Sequence, residues 1–453
     1  MTEQYFLKTN ITALERAKKD PIVRFDAQTN LPGFRTTQFR DTRRTHHEFE
    51  KLADHLVNNN PECMVPALFP SSTSYGSGTD EDERKVKNNM QHWLNLVCNN
   101  IVLIRDPEIV HFIESDFGWS PVNSSGKPAT GIKRRAIKQL QPPPDDSVEL
   151  AEARPVVKQF HLLTAESESR LHRVVKSRTG LALAEQDFGK KLGALSEGET
   201  HTGLANALGK LGRILQAVSD AHSAHATHEA ATLGDALAYH SRDAFVAKET
   251  LTTRQFLIRE LNQAQNSSRT KQANASRLKS SSSIQSTKVD EALSLLEEAK
   301  ATEQQLSSKL TRVTSNLLLE NRAWKLRTAK ELKSAIADFV RKQVESERRI
   351  LATLESVRPD VRAIDASGGL SRLGRTNLQR TGSHSGPSQT TAGDAWSGLK
   401  RVTPPTSALI NSNLGTRARS GSNLSVAVTK SVPEDGSDRV NARNAASILA
   451  NGF

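Results

Sequence analysis

The run Thr287–Arg358, TKVDEALSLLEEAKATEQQLSSKLTRVTSNLLLENRAWKLRTAKELKSAIADFVRKQVESERRILATLESVR, contains neither proline nor glycine. Its apolar residues Val289, Leu293, Leu296, Leu306, Leu310, Val313, Leu317, Trp324, Leu332, Ile336, Phe339, Ile350 and Leu354 recur at threes, fours and their sums. That spacing lays one stripe along a helix. At 1.5 Å per residue the helix is on the order of 100 Å long, beyond the reach of any one small core. The steps are not a strict heptad, so mixed packing in a three-helix bundle fits better than a two-stranded rope.

Around this run the proline-free window extends from Pro155 to Pro359, and all 17 prolines lie outside it. Glycine is absent from Asp235 to Ser367. Proline inside a helix costs roughly 3 kcal/mol, so such a window reads as helical rods. A first rod spans Leu163 to Ala231, loosened by Gly198 and Gly203, and Thr232-Leu233-Gly234 makes a turn. The second runs from Asp235 to Arg277, a bend falls at Ser280–Ser283, and the third is the run quoted above. Three antiparallel rods are expected.

Residues 1 to about 120 have a different texture. Ile11–Arg16, Ile22–Ala27 and Arg35–Arg40 read as strands, with Thr29-Asn30-Leu31-Pro32-Gly33 as the turn before the third. Helices follow at His46–Asn58, in a segment where Val86, Met90, Trp93, Leu94 and Val97 share a face, and at Pro107–Ser115. The fold expected is a small α+β module over 1–122, a basic, proline-closed linker over 123–155, an all-α elongated three-helix bundle over 156–363, and a disordered basic tail over 364–453. Only 5% of the 453 residues are aromatic, which suits thin helical seams and a partner to cover them. The two cysteines, Cys63 and Cys98, are read as buried free thiols of a reducing compartment. No signal-like apolar run follows Met1 and no stretch approaches the roughly 18 apolar residues of a bilayer span, so the expectation is cytoplasmic and membrane-peripheral.

The formal net charge is +12, with an isoelectric point near 9.7. Half of it sits in the tail, where ten Lys/Arg face four Asp/Glu from Ala366 onward. Two further strips are free of acids. Asn123–Gln141 carries Lys127, Lys133, Arg134, Arg135 and Lys138, and Leu261–Val289 carries Arg269, Lys271, Arg277, Lys279 and Lys288 at one end of the rods. Each Lys/Arg beside an anionic leaflet contributes about 1 kcal/mol, so the second strip is a candidate membrane contact and the first a candidate patch for an anionic surface. Neither zinc-finger spacing nor an aromatic-rich sheet motif is present, which argues against nucleic acid. Nucleophile elbow, phosphate loop and metalloprotease helix are missing too, which argues against an enzyme, and no cofactor is called for. His222, His225 and His228 step off one helix face and are read as helix surface, as is His46-His47, so no metal site is assigned.

Phe39-Arg40-Asp41-Thr42-Arg43-Arg44-Thr45-His46-His47-Glu48-Phe49-Glu50-Lys51-Leu52 resembles the signature of the phox-homology (PX) module, in which a strand ends in Arg-Arg-Tyr and a helix begins. An arginine fork there grips a phosphate and an aromatic ring supports the inositol. A PX module followed by three long helices is the layout of the sorting nexins that carry a membrane-bending BAR domain. Asn60-Pro61-Glu62-Cys63-Met64-Val65-Pro66-Ala67-Leu68, Glu114-Ser115-Asp116-Phe117-Gly118 and Leu354–Leu370 are similar to the retromer subunits among them. The resemblance implies a peripheral coat protein of endosomes, active in endosome-to-Golgi retrieval. It implies a heterodimer with a second PX–BAR sorting nexin and work alongside the retromer cargo-recognition trimer. The lipid site it implies is degenerate: aligned on Phe49, Thr45 stands where the phosphate-gripping arginine belongs and His46 where the tyrosine belongs. That leaves Arg43, Arg44, His46, Lys85 and Lys87 as candidates for contact with phosphoinositide. The competing reading is a coiled-coil scaffold or adaptor whose lipid module is vestigial.

Overall fold

The structure is a computed structural model, described here over residues 5–16, 20–121, 143–280 and 286–364. Strands β1 (Leu7–Glu15), β2 (Ile22–Thr29) and β3 (Gln38–Thr45) form an antiparallel meander in the order β1-β2-β3. The third strand begins later than its β-propensity suggests and runs through Arg43 and Arg44, which pair with Arg24 and Val23. A bulge between Phe25 and Ala27 leaves Asp41 at φ 54°, where its backbone N–H donates to Asp26 Oδ1 at 2.9 Å. Helices α1 (His46–Asn59), α2 (Asp80–Cys98) and α3 (Pro107–Glu114) cover one face of the sheet. Val86, Met90, Trp93, Leu94 and Val97 are all buried, as their shared face requires. They close around an aromatic cluster in which Phe49 meets Phe112 edge-on at 5.0 Å and Trp93 at 6.0 Å.

The helical part comprises α4 (Val148–Glu197), α5 (Thr202–Glu229), a π turn (Ala230–Gly234), α6 (Asp235–Lys279), α7 (Ser286–Glu355) and the short α8 (Arg358–Arg362). Three rods are present, but the boundaries between them differ from the sequence reading. The first hairpin lies at Gly198–His201, not at Thr232-Leu233-Gly234. Gly198 ends α4, and His201 caps α5 by accepting from Leu204 N at 3.1 Å. Gly234 is overridden instead: a single glycine costs a helix only about 1 kcal/mol, and fully buried Ala231 anchors the π turn that carries the chain through. Residues 148–155, assigned above to the linker, are the first turns of α4. Pro155 is thus inside the helix, where it forgoes the bond to the carbonyl of Ala151.

Just ahead of α4, Asp145 and Asp146 hold buried Arg254 of α6. Both terminal nitrogens of Arg254 meet Asp145, one at 2.8 Å, and its Nε donates to Thr314 of α7 at 3.0 Å. The proline-closed end of the linker is thereby locked to two helices of the bundle. The basic patch Lys133, Arg134, Arg135 and Lys138, and the tail, lie outside the described residues.

The α7 stripe divides in two. Leu296, Val313, Leu317, Trp324 and Ile350 are buried, whereas Ile336 and Leu354 stand 50% and 39% exposed. Helices α4 and α5 approach backbone to backbone, so that a Cβ on Gly212 would lie 2.6 Å from the carbonyl oxygen of Gly189. Gly212→Ala is therefore expected to lower stability by about 1–3 kcal/mol, by the overpacking of a contact that only backbone movement can relieve. Gly180→Ala, whose Cβ would meet open space, is expected to raise it by about 0.5–1 kcal/mol. Urea denaturation of the two variants checks the contrast.

Candidate membrane-binding site

Thr45 begins α1 as its N-cap, with the Glu48 N–H donating to its hydroxyl at 3.3 Å and Glu48 returning to the Thr45 N–H at 2.6 Å. The residue at the expected phosphate-gripping position is thus a helix cap. Arg44, one residue earlier, is 1% exposed. It donates from Nε to the Phe112 carbonyl at 2.7 Å, from a terminal nitrogen to the Arg43 carbonyl at 2.7 Å, and to the Ser115 carbonyl. Burial pulls its guanidinium below the usual arginine range, while Glu48 and Asp116 oppose the shift. This fork is occupied by three backbone carbonyls that tie β3 to the end of α3.

The other candidates have separate surroundings. Arg43 is exposed on the sheet and shares Asp41 with Arg24, at 2.9 and 2.5 Å. His46 is buried and donates from Nε2 to the Phe69 carbonyl at 2.8 Å. Lys85 bonds Asp235 at 3.2 Å and the Ala231 carbonyl across the junction with the bundle, and Lys87 donates back to the Thr12 carbonyl at 2.7 Å. Lys85 lines a cleft of about 550 Å³ between α2, the π turn and α7, in which none of the other four takes part. Sequence reasoning missed Arg16, at the end of β1, which reaches into the loop before α2. It bonds buried Asp82 at 2.6 Å, the Ser71 carbonyl at 2.9 Å and Ser77 Oγ at 3.1 Å. A lone arginine at a strand end gives no sequence signal for that role.

The basic tip is differently disposed. Arg269, Arg277, Lys279 and Lys288 are exposed and Lys271 half-buried, where α6 ends and α7 begins. A second surface is apolar. Val174, Leu181, Phe188 and Leu195 of α4 recur every seven residues and are 47–59% exposed, and α7 adds Ile336, Val340, Val344, Leu351 and Leu354. No helix among the described residues is long and apolar enough to cross a membrane.

The stepping histidines point to three different partners: His222 to Glu185 at 2.6 Å, His225 to Gln343 at 3.1 Å, and His228 to the ring of Tyr75. Among the described residues no group of metal-ligating side chains forms. Cys63 and Cys98 are free and buried, and burial pushes both thiols up to about 12.

The N-terminal module is fastened to the helices by the stretch that follows α1. Met64 packs into the bundle core, and the Ala67 N–H donates to buried Asp243 of α6 at 2.9 Å. The same carboxylate accepts from Trp324 Nε1 at 2.7 Å and Arg327 at 2.9 Å. Phe69 stacks on Tyr239 with centroids 3.8 Å apart, and His92 meets Glu331 at 2.7 Å.

Comparison with known proteins agrees with this architecture. A family described as PX domain matches residues 34–116, and one described as Vps5 C terminal like matches residues 166–359. Vacuolar protein sorting-associated protein 17 of Schizosaccharomyces pombe is 42% identical over 397 residues, spanning 87% of this chain and 72% of that protein. Its namesake in Saccharomyces cerevisiae is 40% identical over 403 residues, with the same two shares. The cryo-EM structure of the SNX-BAR Mvp1 tetramer is 15% identical, with a TM-score of 0.44 over 77% of this chain and 99% of that one. A PX domain joined to a Vps5-like helical domain defines a sorting nexin of the PX–BAR class. Within that class the chain belongs to the family of vacuolar protein sorting-associated protein 17.

Burial pulls His225, His228 and His240 below the usual imidazole range, with Arg178 adding to the effect at His225 and Lys342 at His228. A histidine depressed in the folded state binds its proton more readily unfolded, so stability holds above about pH 6.5 and falls as the pH drops below it. The thermal midpoint is expected to be lower at pH 5.5 than at pH 7.5, and the gap to shrink in the His225→Gln, His240→Gln double variant. Calorimetry at the two pH values checks both.

Proposed function

We propose that the chain is a non-catalytic coat subunit that binds phosphoinositide-containing endosomal membrane, pairs through its BAR domain with a second PX–BAR sorting nexin, and promotes tubulation. In this reading it serves endosome-to-Golgi retrograde transport alongside the retromer cargo-recognition trimer, as a cytoplasmic peripheral protein. The observation that carries the pairing is the uncovered apolar surface of α4, spaced by sevens like a seam awaiting another helix, together with the open half of the α7 stripe. The basic tip supports the membrane contact: two such ends in a dimer would present ten cations, each contributing about 1 kcal/mol at an anionic leaflet.

The internal bonds of Arg44, His46, Lys85 and Lys87 favour weak head-group recognition by this subunit, with the partner supplying most of the lipid specificity. The same observation supports the second reading, a scaffold or adaptor whose lipid module is vestigial.

Purified chain alone is expected to bind vesicles carrying phosphatidylinositol 3-phosphate only weakly, and submicromolar stereospecific binding overturns that reading. With a second PX–BAR chain present, tubules on anionic vesicles under the electron microscope support the coat, whereas binding without deformation supports the adaptor. Reversing the charges of Lys271, Arg277 and Lys279 is expected to abolish tubulation while pull-down of the second chain persists.

A further inference from the structure

The loop between α1 and α2 and the first turn of α2 read Ser71-Ser72-Thr73-Ser74-Tyr75-Gly76-Ser77-Gly78-Thr79-Asp80-Glu81-Asp82-Glu83. A step of three links Ser71, Ser74 and Ser77 and then lands on Asp80 and Glu83. Ser74 and Ser77 are exposed. Gly76 and Gly78 flank Ser77 at φ 95° and 88°, with nothing within 4 Å of where a Cβ would sit, so the chain around this hydroxyl is open.

A serine followed by a carboxylate three residues on is a substrate for kinases whose groove carries basic side chains at that position. Ser77 meets the requirement through Asp80, with Glu81 and Asp82 beyond it. Phosphate on Ser77 then supplies the anion three residues after Ser74.

The two hydroxyls have opposite surroundings. Ser77 Oγ already accepts from Arg16 at 3.1 Å, so a phosphate there gains a guanidinium. Ser74 Oγ donates to Asp235 Oδ1 at 2.6 Å, and its N–H to Oδ2 at 3.2 Å. Asp235 in turn holds Lys85 at 3.2 Å. Phosphorylation of Ser74 removes that donor, sets about −1.5 to −2 charges against the Asp235 carboxylate, and competes with it for Lys85.

We propose that this loop is a phosphorylation site for an acid-directed serine kinase, Ser77 first and Ser74 second, and that phosphate on Ser74 unfastens the loop from the start of α6. In each transfer the serine oxygen bonds the γ-phosphorus of ATP, the bond to the β–γ bridging oxygen breaks, ADP leaves, and the hydroxyl proton passes to a base of the kinase.

The test treats the full chain with casein kinase II and ATP and maps phosphate by mass spectrometry. Phosphate is expected on Ser77 and on Ser74, with both absent in Ser77→Ala. No phosphate at either serine, or Ser74 modified equally in Ser77→Ala, overturns the order and the site. The mechanical half is read by hydrogen exchange of the amides of residues 230–240. Ser74→Glu is expected to speed it roughly tenfold and Ser74→Ala no more than about twofold, because only the first adds charge opposite Asp235. Equal effects from the two variants, or no effect from Ser74→Glu, overturn the release.

Discussion

One buried carboxylate joins the two halves of the described molecule. Asp243 lies 1% exposed between the PX module and the rods, and accepts a backbone N–H from the first and an indole and a guanidinium from the second. An isolated carboxylate in that position would be prohibitively costly to bury, and removing Arg327 would leave its charge without compensation. The three donors come from two elements distant in sequence, so the carboxylate is satisfied only when the module is seated. Phe69 on Tyr239, Met64 in the bundle core and the Glu320 bonds to Met64 N and Asn100 extend the same seam. The module and the rods are consequently one packed unit.

This seam changes how the PX module is understood. Here His46 spends its Nε2 on the loop carbonyl of Phe69, and Lys85 spends its ammonium on α6 and the π turn. Arg44 is committed still deeper, to carbonyls that hold α3. Thr45 at the cap position gives α1 a capping box, and the neighbouring Arg44 turns inward.

Much of this fold was legible from the chain. The period of α2 named its buried face residue by residue, and the absence of proline and glycine fixed the existence of long rods. The corners were not legible, because a glycine's effect on a helix depends on its surroundings. Gly234 is held in helix by packing that sequence does not display, whereas Gly198 sits beside Glu199, Thr200 and His201, a cluster with cap and turn chemistry. Arg44, His46, Lys85 and Lys87 find partners 23 to 150 positions away, and no local pattern records that Lys85 faces Asp235 or that Arg44 faces Ser115. Asp243 itself is one acid among 50 and carries no sequence mark of its place.

The π turn at Ala230–Gly234 has a geometric role that its five residues do not advertise. Each residue of an α-helix advances the side-chain direction by about 100°, so one residue accommodated in a wider turn rotates everything after it by that amount. Upstream, α5 directs its face to α4. Downstream, the rotated α6 presents Tyr239 and Asp243 to the PX module and Arg254 to the linker end. The turn thus acts as an angular gear within a single rod, and its phase decides which face of the bundle the PX module can occupy.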